Sequence, residues 1–200
     1  MKKLIFVHVP KTAGSSFAYY LSRLYNHARD TEKYWRGEYT DRNIFESYDL
    51  IYGHFHYSKY KYLNRPLITL LRNPVERVIS QYYYSNKPEG VPNDISLADY
   101  ASLEICRNMI SKQLGSLENF DFIGFKEKFN ETLNKFEKFS GIKFIKRNNI
   151  RKRDNRKNKK TVSKKIKTHI KDMNNEDVKM YKMALTLGEN DENNKRLDQY

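Results

Sequence analysis

A lysine and three hydroxyl side chains stand together in one turn of the chain, Pro-Lys-Thr-Ala-Gly-Ser-Ser, which ends at Ser16. The turn follows an apolar run from Leu4 to Val9, typical of a buried strand, and precedes apolar residues at helical spacing. Such a strand-turn-helix unit aims backbone N–H groups and the positive end of the helix dipole at one point. We predict a phosphate or sulfate site there. Its predicted contacts are Lys11, Thr12, Ala13, Gly14, Ser15 and Ser16.

A simpler interpretation of this turn stays open. Many strand-to-helix turns carry Gly, Ser and Thr only because these residues cap the helix. The spacing also differs from that of the usual phosphate loop, because Lys11 precedes Gly14 by three residues instead of following a glycine.

Arg72 and Ser80 form a second candidate anion site. Leu67 to Leu71 is an apolar run that predicts a strand, and Arg72 follows it directly. Pro74 suits the first turn of a helix, on which Ser80 lies two turns along. A guanidinium and a hydroxyl that converge there fit a phosphate monoester. The alternative is an exposed arginine and an ordinary helical serine.

A histidine follows a third predicted strand. Gly53 ends the strand, and His54 then lies at its carboxyl end, where open α/β sheets bind ligands. Its ordinary pKa of about 6.5 suits a general base. A hydrogen bond to a neighbouring loop is the alternative role. His56, two residues later, is a candidate to share the role of His54, but two histidines alone are a weak metal signal.

The order of the predicted elements indicates one α/β domain over residues 1–200, with helices flanking a mostly parallel sheet. Strands are predicted near residues 4–9, 49–53, 67–71 and 121–125. Single helices are predicted from 96 to about 114, from 126 to 139 and over 161–171, and a further helix begins near 174 or 175. Residues 26–48 are expected to form a surface segment with a short helix at 41–47.

The net charge of +14 is concentrated in one segment. Residues 143–171 contain fourteen Lys and Arg against one acid, Asp154. Such a segment is a solvated loop or a binding site for nucleic acid, an acidic polymer or an anionic nucleotide. Cys106 is the single cysteine, so no internal disulfide forms. Since no stretch approaches the roughly 20 apolar residues of a membrane span, we expect a cytoplasmic protein.

Three motifs of the chain resemble the sulfotransferase superfamily, in particular carbohydrate sulfotransferases of the heparan sulfate 2-O-sulfotransferase type. Residues 9–16 are similar to the family's loop for the 5′-phosphosulfate of 3′-phosphoadenosine 5′-phosphosulfate (PAPS). Residues 71–84 are similar to its 3′-phosphate motif. The sequence Tyr52-Gly53-His54 is similar to the element that supplies the catalytic base. The resemblance implies a P-loop-like fold and a PAPS-dependent sulfotransferase whose acceptor is a carbohydrate hydroxyl.

The resemblance also implies roles for the candidate residues. His54 would be the base, Lys11 would contact the bridging oxygen, and Arg72 with Ser80 would hold the 3′-phosphate of PAPS or of its product, PAP. The basic segment 147–171 would cover the nucleotide. Lys160 and Thr161 would then lie near it. No metal is expected, because a sulfuryl group has less charge to neutralise than a phosphoryl group.

The chain departs from the family pattern in two respects. Tyr52 stands where the 2-O-sulfotransferases have a histidine before the glycine, and the chain has no Golgi-anchor or stem segment. These departures suit a bacterial-type cytoplasmic enzyme and leave the acceptor open.

Two other functions remain as alternatives at this stage. A nucleotide kinase or related phosphoryl transferase shares the strand-turn-helix start, but it would need Mg²⁺ and an acidic ligand. A basic nucleic-acid-binding module would use the segment 143–171 and would bind with a steep salt dependence.

Overall fold

A sheet of five parallel strands forms the centre of the computed structural model, which describes residues 2–30, 46–84, 91–144 and 161–197, with side chains up to residue 188. The strands are β1 (Leu4–Val7), β2 (His27–Asp30), β3 (Leu50–Gly53), β4 (Leu67–Leu71) and β5 (Phe122–Phe125). Their order in the sheet is β2-β3-β1-β4-β5, and every pair is parallel. The predicted α/β class and all four predicted strands are confirmed.

Helices cover both faces of this sheet. The helices are α1 (Gly14–Ser22), α2 (Pro74–Tyr82), α3 (Leu97–Ser102), α4 (Met109–Leu114), α5 (Phe129–Ser140), α6 (Lys164–Met173) and α7 (Asn175–Leu197). On one face, Phe17 of α1 packs edge-on against Phe6 and against Phe136 of α5. On the other face, α4 and α7 cover Ile5 and Val7. Because β1 is covered on both faces, its sequence is a continuous apolar run.

The prediction of an irregular surface segment from residue 26 is wrong at its start, where β2 forms the edge of the sheet. Its residues alternate between exposed and buried, with Ala28 and Asp30 facing the core. The buried Asp30 carboxylate accepts hydrogen bonds from Lys59 at 2.7 Å and Tyr60 at 2.9 Å. Three polar residues in four therefore concealed the strand. The helix predicted at 41–47 falls mostly outside the described residues.

The single helix predicted from 96 to 114 is interrupted in the structure, which contains α3, a short 3₁₀ turn and α4 instead. Leu103 is extended and Asn108 is left-handed, with φ of 50°, so the helical path stops twice. The break creates a new helix start, which Asp177 of α7 caps: its carboxylate accepts from the N–H groups of Ile110 and Ser111. In return, the side-chain oxygen of Asn108 accepts from the first turn of α7.

The other predicted helices are confirmed within a few residues. α5 ends at Gly141, which has the left-handed conformation typical of a glycine after a helix. Ser163 caps α6 through its side chain. α6 packs with α2 and α3 in a third apolar cluster around Ile79, Tyr100 and Ile170.

The crevice between the carboxyl ends of β1 and β4 is the topological switch point of this sheet. The chain leaves β1 toward β2 on one side and leaves β4 toward β5 on the other. In open α/β sheets, ligands bind at this crevice. The fold thus brings the loop after β1 and the start of α2 together at the edge where ligands are expected.

Replacing Asp177 by alanine should destabilise the protein, because it leaves two N–H groups at the start of α4 without their carboxylate acceptor. We expect the free energy of unfolding to fall by about 1–3 kcal/mol in chemical denaturation. Asp172→Ala is the matched control, because Asp172 is exposed on α6. An equal loss in both variants would contradict the assigned capping role.

Candidate functional site

The loop after β1 is held in an unusual backbone conformation. Lys11 and Ala13 both have positive φ angles, 69° and 70°, although neither is glycine. A left-handed residue of this kind costs about 1–2 kcal/mol. Thr12 is buried and donates its hydroxyl to the carbonyl of Val9 at 2.8 Å, which braces the loop. Turns in which left-handed and right-handed backbone conformations alternate bring successive N–H groups together into concavities that bind anions.

The simple capping interpretation of this loop does not match the geometry. Ala13 occupies the cap position of α1, and no side-chain cap hydrogen bond forms there. The first N–H groups of a helix have no partner within it, so a ligand or water must satisfy them. Ser15 is exposed and Ser16 half-buried in this first turn. The uncapped start of α1 favours an anion here, and the predicted anion site itself stays a prediction.

Gly14 is required by a close approach of the His8 ring. A Cβ atom added at Gly14 would lie 2.0 Å from Cδ2 of His8. His8 directly follows β1 and is buried, and its ring stacks on Phe6. The glycine of the loop thus makes room for a histidine, in addition to any approach by a ligand.

Arg72 joins the start of α2 to this loop. Its Nη1 donates to the carbonyl of Lys11 at 3.1 Å. The residue is 6% exposed, and its buried Nε has no hydrogen-bond partner within the described part of the chain. Burial lowers the pKa of Arg72, while the carboxylates of Glu127 and Glu76 act to raise it. A buried guanidinium with an unsatisfied donor favours a further anionic partner.

Lys11 also contacts Tyr84, two residues past the end of α2. Its Nζ lies 3.8 Å from the centroid of the Tyr84 ring, a cation–π contact. Ser80 is half-buried on α2, one helical turn before Tyr84. Direct contacts thus link the loop to Arg72 and to Tyr84, whereas the place of Ser80 in the site stays a prediction.

His54 is fixed by the backbone of the neighbouring strand. Its Nδ1 lies 2.7 Å from the carbonyl oxygen of His8. Because a carbonyl only accepts, Nδ1 carries the proton and the lone pair of the neutral ring is on Nε2. The ring is half-buried at the carboxyl edge of the sheet, where a base was predicted. The hydrogen bond to a neighbouring loop, the alternative role, is also present, and the two roles are compatible.

His8 is a residue of this site that the sequence interpretation missed. Its ring centroid lies 4.3 Å from that of His54. Burial first, and then the positive charges of His54, Arg29 and Lys11, hold the pKa of His8 well below its ordinary value. The one available signal was a polar residue at the end of the apolar run that forms β1.

Gln113 is a second residue that the sequence did not indicate. It is buried on α4 and donates to the carbonyls of His8, at 3.3 Å, and Phe55, at 3.0 Å. The carbonyl of His8 therefore accepts from two side chains. Gln113 fixes the backbone on which His54 depends.

His56 has a structural partner of its own. His56 caps the 3₁₀ turn Tyr57–Leu63, because its Nδ1 accepts from the backbone N–H of Ser58 at 3.4 Å. The same Nδ1 lies 2.8 Å from the Ser58 hydroxyl. Burial lowers its pKa. A shared role with His54 stays a prediction.

The predicted nucleotide cover is described only at its end. Lys160 and residues 147–159 fall outside the described residues, and Thr161 is exposed just before α6. α6 itself packs against α2 and α3, and Lys167 pairs with Glu76 at 3.3 Å. The basic helix is thus tied to the helix that begins after Arg72, while its place over a nucleotide remains a prediction.

Two searches of the described residues gave negative results. They contain no cluster of three or more His, Cys, Asp or Glu side chains able to hold a metal ion. Among them, no helix combines the length and apolar character needed to cross a membrane.

Comparison with protein families then gives the decisive match. The sulfotransferase family profile matches residues 1–113, more than half of the chain. This chain belongs to the sulfotransferase family. The matched residues include all of the loop after β1, His54, Arg72 and Ser80.

Comparison with solved structures finds the crystal structure of mouse sulfotransferase SULT7A1 complexed with PAP. The two share 19% sequence identity, with a TM-score of 0.49, over 71% of this chain and 59% of that one. The chain thus spans less than two thirds of the length of that sulfotransferase. Comparison with curated protein sequences gave no match.

The buried position of His8 predicts that acid destabilises this sulfotransferase. Its pKa is lower in the folded than in the unfolded protein, so the unfolded state binds the proton first. The contribution of neutral His8 to the free energy of unfolding is therefore fully present above pH 6.5. It is lost as the pH drops below 6.5, by up to about 1.4 kcal/mol per pH unit. Urea unfolding between pH 7.5 and 5 measures this slope, which should flatten in His8→Phe. Equal slopes in the two proteins would contradict the assignment.

Proposed function

We propose that this chain is a PAPS-dependent sulfotransferase that moves a sulfuryl group to a hydroxyl of a carbohydrate. Family membership supports the reaction class. The observation that carries the proposal is a pair of hydrogen bonds among the carboxyl ends of β4, β1 and β3. Arg72, after β4, donates to the carbonyl of Lys11, and His54, after β3, donates to the carbonyl of His8, which directly follows β1. A loop that could bind an anion, a buried arginine and an oriented histidine thus lie at one edge of the sheet, which supports the proposal.

The loop after β1 is proposed to hold the 5′ end of the donor. The N–H groups at the start of α1 supply neutral donors at the positive end of the helix dipole. The Ser15 and Ser16 hydroxyls add side-chain donors at the same position. Lys11 would leave the Tyr84 ring and meet the bridging oxygen, where negative charge appears as the donor bond breaks.

Arg72 and Ser80 are proposed to hold the 3′-phosphate. A guanidinium matches phosphate oxygens in a planar, bidentate geometry. The buried Nε of Arg72 supports this role, since it has no partner within the described residues and burial disfavours its charge in the absence of an anion. Anion binding would offset that cost.

His54 is proposed to take the acceptor proton on Nε2. The acceptor oxygen forms a bond to sulfur as the bond from sulfur to the bridging oxygen breaks, and the electron pair of that bond goes to the phosphate. The proton ends on His54, and the products are a sulfate ester and PAP. The His8 carbonyl, which accepts from Nδ1, would stabilise the imidazolium so formed.

Replacing His54 by alanine should lower the rate of sulfuryl transfer by about 10²–10⁴-fold, because the general base is lost. PAP affinity should change little, since Nδ1 of His54 bonds the His8 carbonyl, which is not a group proposed to hold either phosphate. Transfer of radiolabelled sulfate and PAP titration measure the two effects. His56→Ala is measured in parallel, because a comparable loss of turnover there would show that His56 shares the role of His54. Near-normal turnover in His54→Ala would refute the assignment of the base.

Arg72→Ala should weaken PAP binding by about 10–100-fold, because a charge-assisted contact to phosphate is lost. In the wild type, PAP should raise the melting temperature more than AMP does, since AMP has no 3′-phosphate. The variant should lose this difference between the two nucleotides. The same difference in both proteins would rule out Arg72 as the 3′-phosphate ligand, and no stabilisation of the wild type by PAP would rule out the donor.

A further inference from the structure

We infer that Arg29 selects the acceptor, by binding an anionic group that lies beside the hydroxyl to be sulfated. This inference rests on the proposed function, and it adds an acceptor class and a residue that reads it. Arg29 lies on β2, the strand that the sequence did not reveal.

The register of the sheet places Arg29 beside the proposed base. Arg29 pairs with Tyr52 on β3, and His54 lies two residues beyond Tyr52 along the chain. One strand spacing and two residues of rise separate the backbones of Arg29 and His54 by roughly 8 Å. A long arginine side chain spans most of that distance.

Arg29 is on the same face of the sheet as the two histidines of the site. Exposed and buried residues alternate along β2, so His27 and Arg29 share one face. The His27 ring lies 6.1 Å from that of Tyr52, which packs against the cluster under α1. Arg29 is also close enough to contribute to the lowered pKa of His8.

The guanidinium of Arg29 has no bonding partner within the described part of the fold. The side chain is exposed, and no hydrogen bond or ion pair joins it to residues 2–30, 46–84, 91–144 or 161–188. The nearest acid in sequence, Asp30, faces the opposite side of the strand and binds Lys59 and Tyr60.

The strand order separates Arg29 from the proposed donor site. Arg72 and the loop that holds Lys11 follow β4 and β1, on one side of β3, and Arg29 is on β2, on the other side. His54, at the end of β3, stands between them. An acceptor hydroxyl that reaches Nε2 from the side away from the donor would therefore bring its neighbouring substituents toward Arg29. A carboxylate or a sulfate ester there would pair with the guanidinium.

The test measures binding of three sugar probes to the PAP-saturated protein. The probes are 4-nitrophenyl β-D-glucoside, the matching glucuronide and the glucoside 6-sulfate, which differ in the group at one position. The wild type should bind the two charged probes more tightly than the neutral one. Arg29→Met should lose roughly 10–100-fold of that preference, and Arg29→Lys should keep part of it.

Arg23→Met is the matched control, because it removes the same charge from an exposed arginine. Arg23 follows α1, on the side of the sheet where β2 begins, away from the carboxyl ends of the strands. It should keep the preference for charged probes. A wild type without that preference, or the same loss in both variants, would overturn the inference. So would a fall in PAP affinity in Arg29→Met as large as in Arg72→Ala, because Arg29 would then bind the donor. Failure of PAP to bind the wild type would instead refute the proposed donor.

Discussion

The carbonyl group of His8 is the point on which the site depends. It accepts from Nδ1 of His54 on one side and from the amide of Gln113 on the other. Its position is set by β1, whose N–H and C=O groups are paired with strands on both sides. The tautomer and orientation of the proposed base are therefore fixed by the backbone at the centre of the sheet, where backbone motion is least expected.

The electrostatics of the site follow from crowding of basic groups at one edge. Lys11, Arg29, His54 and the buried Arg72 lie on or follow four neighbouring strands, β1, β2, β3 and β4, near their carboxyl ends. Burial, and then the charges of His54, Arg29 and Lys11, hold the pKa of His8 well below its ordinary value. A site of this kind is stabilised by anions, because each bound anion offsets both the repulsion and the desolvation of the cations.

The sequence predicted the strands that are surrounded by apolar residues on both faces of the sheet. β1 and β4 are buried on both faces, so their apolar runs were visible. The edge strand β2 is polar on one side and carries Asp30 on the other, and no periodic pattern could show it. The break at Asn108 depends on Asp177, which is distant in the chain. Local spacing contains no information about such a contact.

The same distinction applies to the candidate site. Strand ends bearing Lys11, His54 and Arg72 could be predicted, because carboxyl ends of parallel strands meet at one edge. The hydrogen bonds that join them end on backbone carbonyls, which every residue has, so they leave no trace in the sequence. His8 could not be assigned for a related reason, since its contact with Gly14 depends on where α1 starts.

The reciprocal capping between α4 and α7 has a consequence for biosynthesis. The family match ends at residue 113, yet the carboxylate that closes the start of α4 comes from residue 177. During translation the ribosome must therefore deliver residue 177 before Gln113 and the sheet above it reach their final packing. The nascent amino-terminal half would expose one apolar face of the sheet in that interval, when chaperones protect such surfaces. The carboxyl edge of the sheet is thus expected to form late, although its residues are made first.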